Sequence, residues 1–162
     1  MNVTARPWLS AVLLTVLVFL PSPAHAGMSP EEIKAFEGYK AGALKGDPLA
    51  QGNLGGCYYL GTGVAKDFVQ AVSWYRKAAD QGSDMGQASL GGCYSLGRGV
   101  VKDEIEGYAY FNLAGITYAE ARRIRDVLKK KLSPEAVLRG EQRTKELQKE
   151  IEAKIAAKAA GR

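Results

Sequence analysis

Histidine is almost missing from this chain of 162 residues, and its single copy is His25. His25 falls in an N-terminal segment that reads as removable, so the rest of the chain has none. The commonest general base and the commonest metal ligand are therefore both lacking. Ser-His-Asp and Cys-His catalysis, and zinc sites built on histidine, are excluded. Cysteine is scarce too. Cys57 and Cys93 are its only copies, and neither lies beside a cleavage point where a lipid could attach. Nothing after the N-terminus is apolar for long enough to span a bilayer. No long alternating strand pattern appears. Neither a metal site nor a cofactor is expected, and no catalytic residue can be named.

The N-terminal segment has the three regions of a secretory signal. Met1 to Pro7 carries one cation, Arg6, and Trp8 to Leu20 is apolar apart from Ser10 and Thr15. Ala24-His25-Ala26 then supplies an A-x-A site, with cleavage expected after Ala26. The apolar run is short of the roughly 20 residues a membrane anchor needs. A periplasmic or secreted location is expected. Residues 27–162 keep 21 basic and 17 acidic residues, a net charge of +4. An exported protein of this mild charge is not expected to bind nucleic acid. Acidic proteins, or anionic lipid and glycan surfaces met peripherally, suit the balance better.

What the chain does have is a repeat. Leu54 to Asp67 returns 36 residues later as Leu90 to Asp103, with 11 of 14 positions identical. A fixed period of this size marks a stacked array, in which each unit buries its apolar face against its neighbours. Such arrays offer binding surfaces rather than enclosed reaction chambers.

The elements are helical. Ser29-Pro30-Glu31-Glu32, Asp47-Pro48 and Ser133-Pro134-Glu135 read as caps followed by proline in the first turn. Asp67 with Gln70, and Asp103 with Glu106, are further cap pairs. Gly46, Gly61, Gly82 and Gly97 follow helical stretches where a left-handed residue is wanted. Helices are predicted over 30–44, 48–60, 68–80, 84–96, 104–116, 118–131 and 134–158. Gly63 and Gly99 supply backbone freedom in the Gly-x-Gly-Val turns, with Val64 and Val100 as inward plugs. Gly55, Gly91, Ala71 and Gly107 let paired helices approach, while Trp74-Tyr75 and Tyr110-Phe111 supply core aromatics.

The string from Gly46-Asp-Pro-Leu-Ala50-Gln51 through Leu54-Gly55, Tyr58, Gly61-x-Gly63-Val64, Ala71, Trp74-Tyr75 and Lys77-Ala78-Ala79 to Gly82 resembles the Sel1-like repeat. That repeat is a branch of the tetratricopeptide superfamily. The second copy, Gly82 through Ala114, is similar but departs at Gly86, where the family favours Ala, and at Gly107. The resemblance implies an all-α fold: a short right-handed α-solenoid of antiparallel helix pairs, with first helices lining a concave face. The units expected are a capping helix at 27–46, repeats at 47–82 and 83–118, and a divergent terminal helical hairpin with a basic, partly frayed tail at 119–162.

The resemblance also implies a protein-interaction role, as an adaptor or scaffold of the bacterial periplasm or envelope, and a monomer is expected. Some cysteine-rich relatives are described as β-lactamases or penicillin binders. This chain lacks the Ser-x-x-K, Ser-Asp-Asn and Lys-Thr-Gly motifs of that chemistry, so the activity is not carried over.

Two surfaces are candidates. Helix 48–60 turns Ala50, Leu54, Cys57, Tyr58 and Gly61 inward at helical spacing. That leaves Asn53, Gly56, Tyr59 and Leu60 for a partner peptide or helix, with Ser89, Gly92, Ser95 and Leu96 as counterparts. Gly56 and Gly92 are not needed by the repeat and flatten the face, and Tyr59 and Leu60 would be apolar anchors. The second surface is the basic run Arg122, Arg123, Arg125, Lys129, Lys130 and Lys131, either a solvated face or a contact for an acidic partner, glycan, peptidoglycan or an anionic surface. Cys57 and Cys93 are repeat-equivalent. Neighbouring helices about 8–10 Å apart hold them beyond the roughly 7 Å Cα reach of a disulfide. They are expected as buried free thiols ahead of a disulfide, the alternative that two cysteines in an exported protein leave open.

Overall fold

A computed structural model describes residues 27–161, and the expected signal segment lies outside them. Seven helices and no strand are found among the described residues: α1 (Pro30–Leu44), α2 (Pro48–Leu60), α3 (Phe68–Ala79), α4 (Asp84–Leu96), α5 (Glu104–Ala114), α6 (Ala119–Lys131) and α7 (Pro134–Ala160). The architecture is the all-α solenoid that the repeat implied.

Local chemistry sets the boundaries. Ser29 and Glu32 form a capping box: the Ser29 N–H donates to Glu32 Oε2 at 2.7 Å and the Glu32 N–H to Ser29 Oγ at 3.2 Å. Asp67 and Asp103 each accept two first-turn N–H groups through Oδ1. These donors have no partner inside the helix, which is why an Asp is favoured there. Glu106, expected to complete the cap of α5, is drawn away to Arg143 on α7. Gly46, Gly61, Gly82 and Gly97 all take positive φ, between 69° and 87°.

α2 pairs with α3 and α4 with α5, at a closeness that depends on missing side chains. A Cβ at Gly55 would lie 2.6 Å from the Tyr75 ring, and one at Gly91 would lie 2.9 Å from the Phe111 ring. The two departures from the family pattern have the same cause. A Cβ on Gly86 would meet the Ala79 nitrogen at 2.7 Å, and one on Gly107 would meet the Gly91 carbonyl at 3.0 Å. Phe36, Leu54 and Cys57 pack at the N-terminal end, and Tyr75, Leu90, Cys93, Tyr110 and Leu113 pack through the centre. Val64 and Val100 plug these clusters, as the turns suggested.

The C-terminal third takes a course that the sequence did not announce. α6 and α7 both pack chiefly on α5, and Lys129 of α6 pairs with Glu141 of α7 across the turn between them. α7 buries Leu147 and Ile151 beside Tyr110 and Leu113. Its 27 residues extend about 40 Å at 1.5 Å per residue, enough to return to the end of the first repeat. There Lys154 pairs with Asp80 at 2.7 Å, Lys158 meets Gln81, and Ile155 lies over Gly82. The tail expected to overhang and fray is a docked helix through Ala160.

α6 has a clear place in the array. Ala50 is buried at the start of α2, and Gly86 is pressed against Ala78, Ala79 and the Tyr75 carbonyl at the start of α4. Ala121 packs in the same way on Ala114 and Phe111, the repeat counterparts of Ala78 and Tyr75. Gly86 and Ala121 are 35 residues apart, so α6 is the first helix of a third unit, one residue short of the period. α7 does not fill the second-helix place beside it.

Candidate binding groove

The first-helix face carries a groove of about 250 Å³ between α2 and α4. Its lining includes Asn53, Gly56 and Leu60 from α2 and Met85 and Ser89 from α4, with Tyr75 of α3 behind them. The positions follow from helical spacing. Residues 49, 53, 56 and 60 share one face of α2, and 85, 89, 92 and 96 share the matching face of α4. Each stripe carries large apolar residues at its ends, Leu49 and Leu60 or Met85 and Leu96, with small or polar residues between them.

Gly56 and Gly92 differ from their neighbours Gly55 and Gly91. A Cβ at Gly56 would have only the Tyr75 hydroxyl, at 3.9 Å, and one at Gly92 only the tip of Phe111, at 4.0 Å. Packing does not require glycine at either position, and the bare backbone widens the face. Leu60 and Leu96 are 67% and 58% exposed at the same end of the two helices. Exposed leucines flanking open backbone suit an apolar side chain of another protein.

Six of the eight proposed contact residues thus lie on the two stripes, four of them in the groove lining. Tyr59 and Ser95 do not. The Tyr59 ring packs edge-on against Phe68 at 5.2 Å between centroids, and its hydroxyl accepts from Arg98 at 2.5 Å. Ser95 lies against Gly107, with its Oγ buried and without a hydrogen-bond partner among the described residues. Both positions sit where the next element of the array packs, so Tyr59 is a packing residue rather than an anchor. Met85 was missed by the sequence reading, although it stands four residues before Ser89 on the same stripe. Gly52 makes space for it, since a Cβ there would collide with the Met85 methyl.

The basic run is largely engaged by its own surroundings. Arg122 Nε donates to the Gly115 carbonyl at 3.0 Å, closing the end of α5. Arg125 reaches Asn112 Oδ1 at 3.3 Å and Asp126 at 2.6 Å. Arg123 pairs with Glu120 and Lys129 with Glu141. Among the described residues, Lys130 and Lys131 have no ion-pair partner. On the opposite side, Arg76 donates to the Tyr94 hydroxyl at 3.0 Å and borders a second cleft, of about 380 Å³, with Val69, Val72, Lys77 and Asp80.

Cys57 and Cys93 are free and buried, in agreement with the geometry of neighbouring helices. Burial pushes the Cys57 thiol up, and it pushes Cys93 to about 11 despite some relief from Arg98. Protonated buried thiols act as small hydrophobes, not as nucleophiles. Among the described residues no group of acidic, cysteine or histidine side chains could hold a metal ion. No helix among them is long and apolar enough to cross a membrane.

Comparison with known proteins gives the class. The Sel1 repeat family pattern matches residues 48–83 and 84–115. No curated protein matches the chain. Among solved structures, a protective antigen of uropathogenic Escherichia coli displaying an SLR fold is similar, with 33% identity and a TM-score of 0.72. That likeness covers 82% of this chain but only 30% of the antigen. A Sel1 repeat protein from Oxalobacter formigenes is 38% identical with a TM-score of 0.50, over 51% of this chain and 63% of that one. The chain thus spans less than two thirds of either relative. It carries two Sel1 repeats, and these likenesses are consistent with a Sel1-like repeat protein of the tetratricopeptide-like superfamily, a family whose members are in general protein-interaction scaffolds.

Proposed function

We propose that the chain is a non-enzymatic adaptor or scaffold of the bacterial periplasm or cell envelope, holding a peptide or helix of a partner protein on the face made by α2 and α4. The observation that carries this reading is the open backbone of Gly56 and Gly92 between the exposed Leu60 and Leu96. Apolar side chains left in water at the rim of a preformed groove favour association, and a rigid helical scaffold limits the ordering cost of binding. The envelope setting rests on the signal-like N-terminus, and intact mass of the protein recovered from the periplasm tests it. A chain beginning at Gly27 is expected. A species keeping residues 1–26 in the membrane fraction would remove the periplasmic adaptor.

The groove itself is tested by crosslinking from a native periplasmic extract. Gly56→Leu with Gly92→Leu should abolish partner capture while the protein stays folded, and Arg76→Ala on the other side should not. Undiminished capture by the double leucine variant would rule the groove out. Contact with glycan or an anionic surface through α6 would then become the leading reading.

A further inference from the structure

The repeat register carries the face that holds the groove onward to α6. Ala121 stands to Ala114 and Phe111 as Gly86 stands to Ala78 and Tyr75, which fixes the register between α4 and α6 at 35 residues. That register carries the α4 stripe of Met85, Ser89, Gly92 and Leu96 onto Glu120, Ile124, Val127 and Lys131. These four share one face of α6 by helical spacing, opposite neither Ala121 nor Leu128, which pack inward. Ile124 and Val127 are accordingly left exposed. Thr117, just before α6, bonds to Asp84 at the start of α4, so the two helices begin side by side.

α6 differs from α2 and α4 in charge. α6 holds six cations and two acids, a balance of +4, equal to the whole net charge of residues 27–162; the remaining residues balance to zero. α2 carries no charged residue and α4 only Asp84, so the groove runs from a neutral side to a cationic one. Lys131 stands where Leu60 and Leu96 stand in the earlier units, and Lys130 beside it takes the place of Tyr59 and Ser95, off the stripe. Arg122, Arg125 and Lys129 are turned to Gly115, Asn112 and Glu141, which leaves Lys130 and Lys131 as the cations free to meet a partner.

Resting on the groove reading above, we infer that the groove extends across α6 and selects a protein segment of one polarity. Its apolar residues lie over Gly56 and Gly92, and a run of Asp or Glu lies over Lys131 at the end of the stripe and reaches Lys130 beside it. Opposite charges steer encounter and fix the register of a bound segment, even where they add little to affinity. A peptide fits better than a membrane, because Ile124 and Val127 lie on the face shared with the walls of α2 and α4 rather than on an outward edge.

The test is selection from a displayed random dodecapeptide library against four purified forms: the unaltered protein, Gly56→Leu/Gly92→Leu, Lys130→Glu/Lys131→Glu and Val127→Asp. The unaltered protein should enrich peptides with apolar residues at one end and acids grouped at the other. Charge reversal should weaken those peptides at least about tenfold. Val127→Asp, at an exposed site where folding is not at risk, should weaken them as well, and the double leucine variant should lose them. Peptides without an acidic end that are still lost by the double leucine variant would overturn the polarity and leave the groove standing. Peptides bound equally by the double leucine variant would overturn both. Enrichment of no peptide, together with sedimentation on phosphatidylglycerol vesicles that charge reversal abolishes, would assign α6 to a lipid surface and overturn the inference.

Discussion

Arg143 and Glu106 form a two-pronged ion pair that ties α7 to the start of α5. Arg143 Nε donates to Glu106 Oε2 at 2.9 Å, and the neighbouring guanidinium nitrogen donates to Oε1 at 3.3 Å. Glu106 is only 17% exposed and Arg143 30%, so the pair is better shielded than the other ion pairs of the surface. A planar fork against a carboxylate is the geometry that gives such pairs both strength and direction. Arg143→Met should lower stability by about 1–2 kcal/mol, since it leaves Glu106 without its charge partner. A double-mutant cycle with Glu106→Gln, read by urea melts, should give a coupling of about 1 kcal/mol. No coupling would mean that α7 is held by Leu147 and Ile151 alone.

The two Gly-x-Gly turns should be the least tolerant sites of the array. Gly63 and Gly99 have φ of 71° and 72°. Their α-carbons also face the backbone of the preceding unit. A Cβ at Gly63 would collide with the Glu32 carbonyl, and one at Gly99 with the Phe68 carbonyl. Strain and collision act together, so Gly99→Ala should cost about 2 kcal/mol or more. Gly38→Ala is the control: it lies in α1 with nothing within 4 Å of the added atom. That change should stabilise by about 0.5–1 kcal/mol. Thermal melts of the two variants should move in opposite directions.

Adjacent glycines inside α2 and α4 should likewise respond with opposite signs. Gly55→Ala and Gly91→Ala push a methyl into the Tyr75 and Phe111 rings and should destabilise by about 1–3 kcal/mol each. Gly56→Ala and Gly92→Ala meet nothing closer than 3.9 Å. They should stabilise by about 1 kcal/mol each through helix propensity. Destabilisation by Gly56→Ala would show that the open face is needed for folding rather than for binding.

Where local chemistry dictates structure, the sequence was readable. Ser29, Asp47, Asp67, Asp103 and Ser133 start helices because their side chains satisfy nearby N–H groups, and Gly61 and Gly97 stop them because only glycine enters the left-handed region cheaply. The stripe of Asn53, Gly56 and Leu60 was visible for the same reason, since it follows from the helical period. Tyr59 was harder to read: the wheel places it at the edge of the stripe, and Phe68 and Arg98, from later elements, decide which way it faces. α6 was disguised twice. Its register slips by one residue, and charged side chains replace the small residues that mark the earlier first helices. The path of α7 depends on partners 37 and 74 residues away, Glu106 and Asp80, and no local signal encodes them.

The end of α7 offers a separate test of that path. Lys154 and Lys158 meet Asp80 and Gln81, and Ile155 lies 3.5 Å from where a Gly82 Cβ would be. Ending the chain after Ala153 should leave the core intact, because Leu147 and Ile151 remain. It should cost about 1–2 kcal/mol, from one exposed ion pair, one exposed hydrogen bond and one half-buried isoleucine. Hydrogen exchange should rise locally at residues 80–83. Unchanged exchange there would show that the tail does not dock on that turn.

Alkaline stability should report the burial of Cys93. Its thiol is pushed up to about 11, chiefly by burial, and burial raises Tyr75 and Tyr110 as well. In the unfolded chain a thiol ionises near pH 8.5, so above that pH the native state binds more protons than the unfolded one. Stability should therefore be complete below about pH 8.5 and fall as the pH rises towards 11, with the opposite sign to a paired carboxylate. Cys93→Ala would cost stability at every pH by leaving a small void, yet it should flatten the slope between pH 8.5 and 11. Folded protein at pH 8 should also resist iodoacetamide at both cysteines and react once unfolded in urea. Rapid alkylation of the folded protein, or an unchanged slope in Cys93→Ala, would mean that Cys93 is accessible and that the contact between Tyr75, Leu90 and Cys93 opens readily.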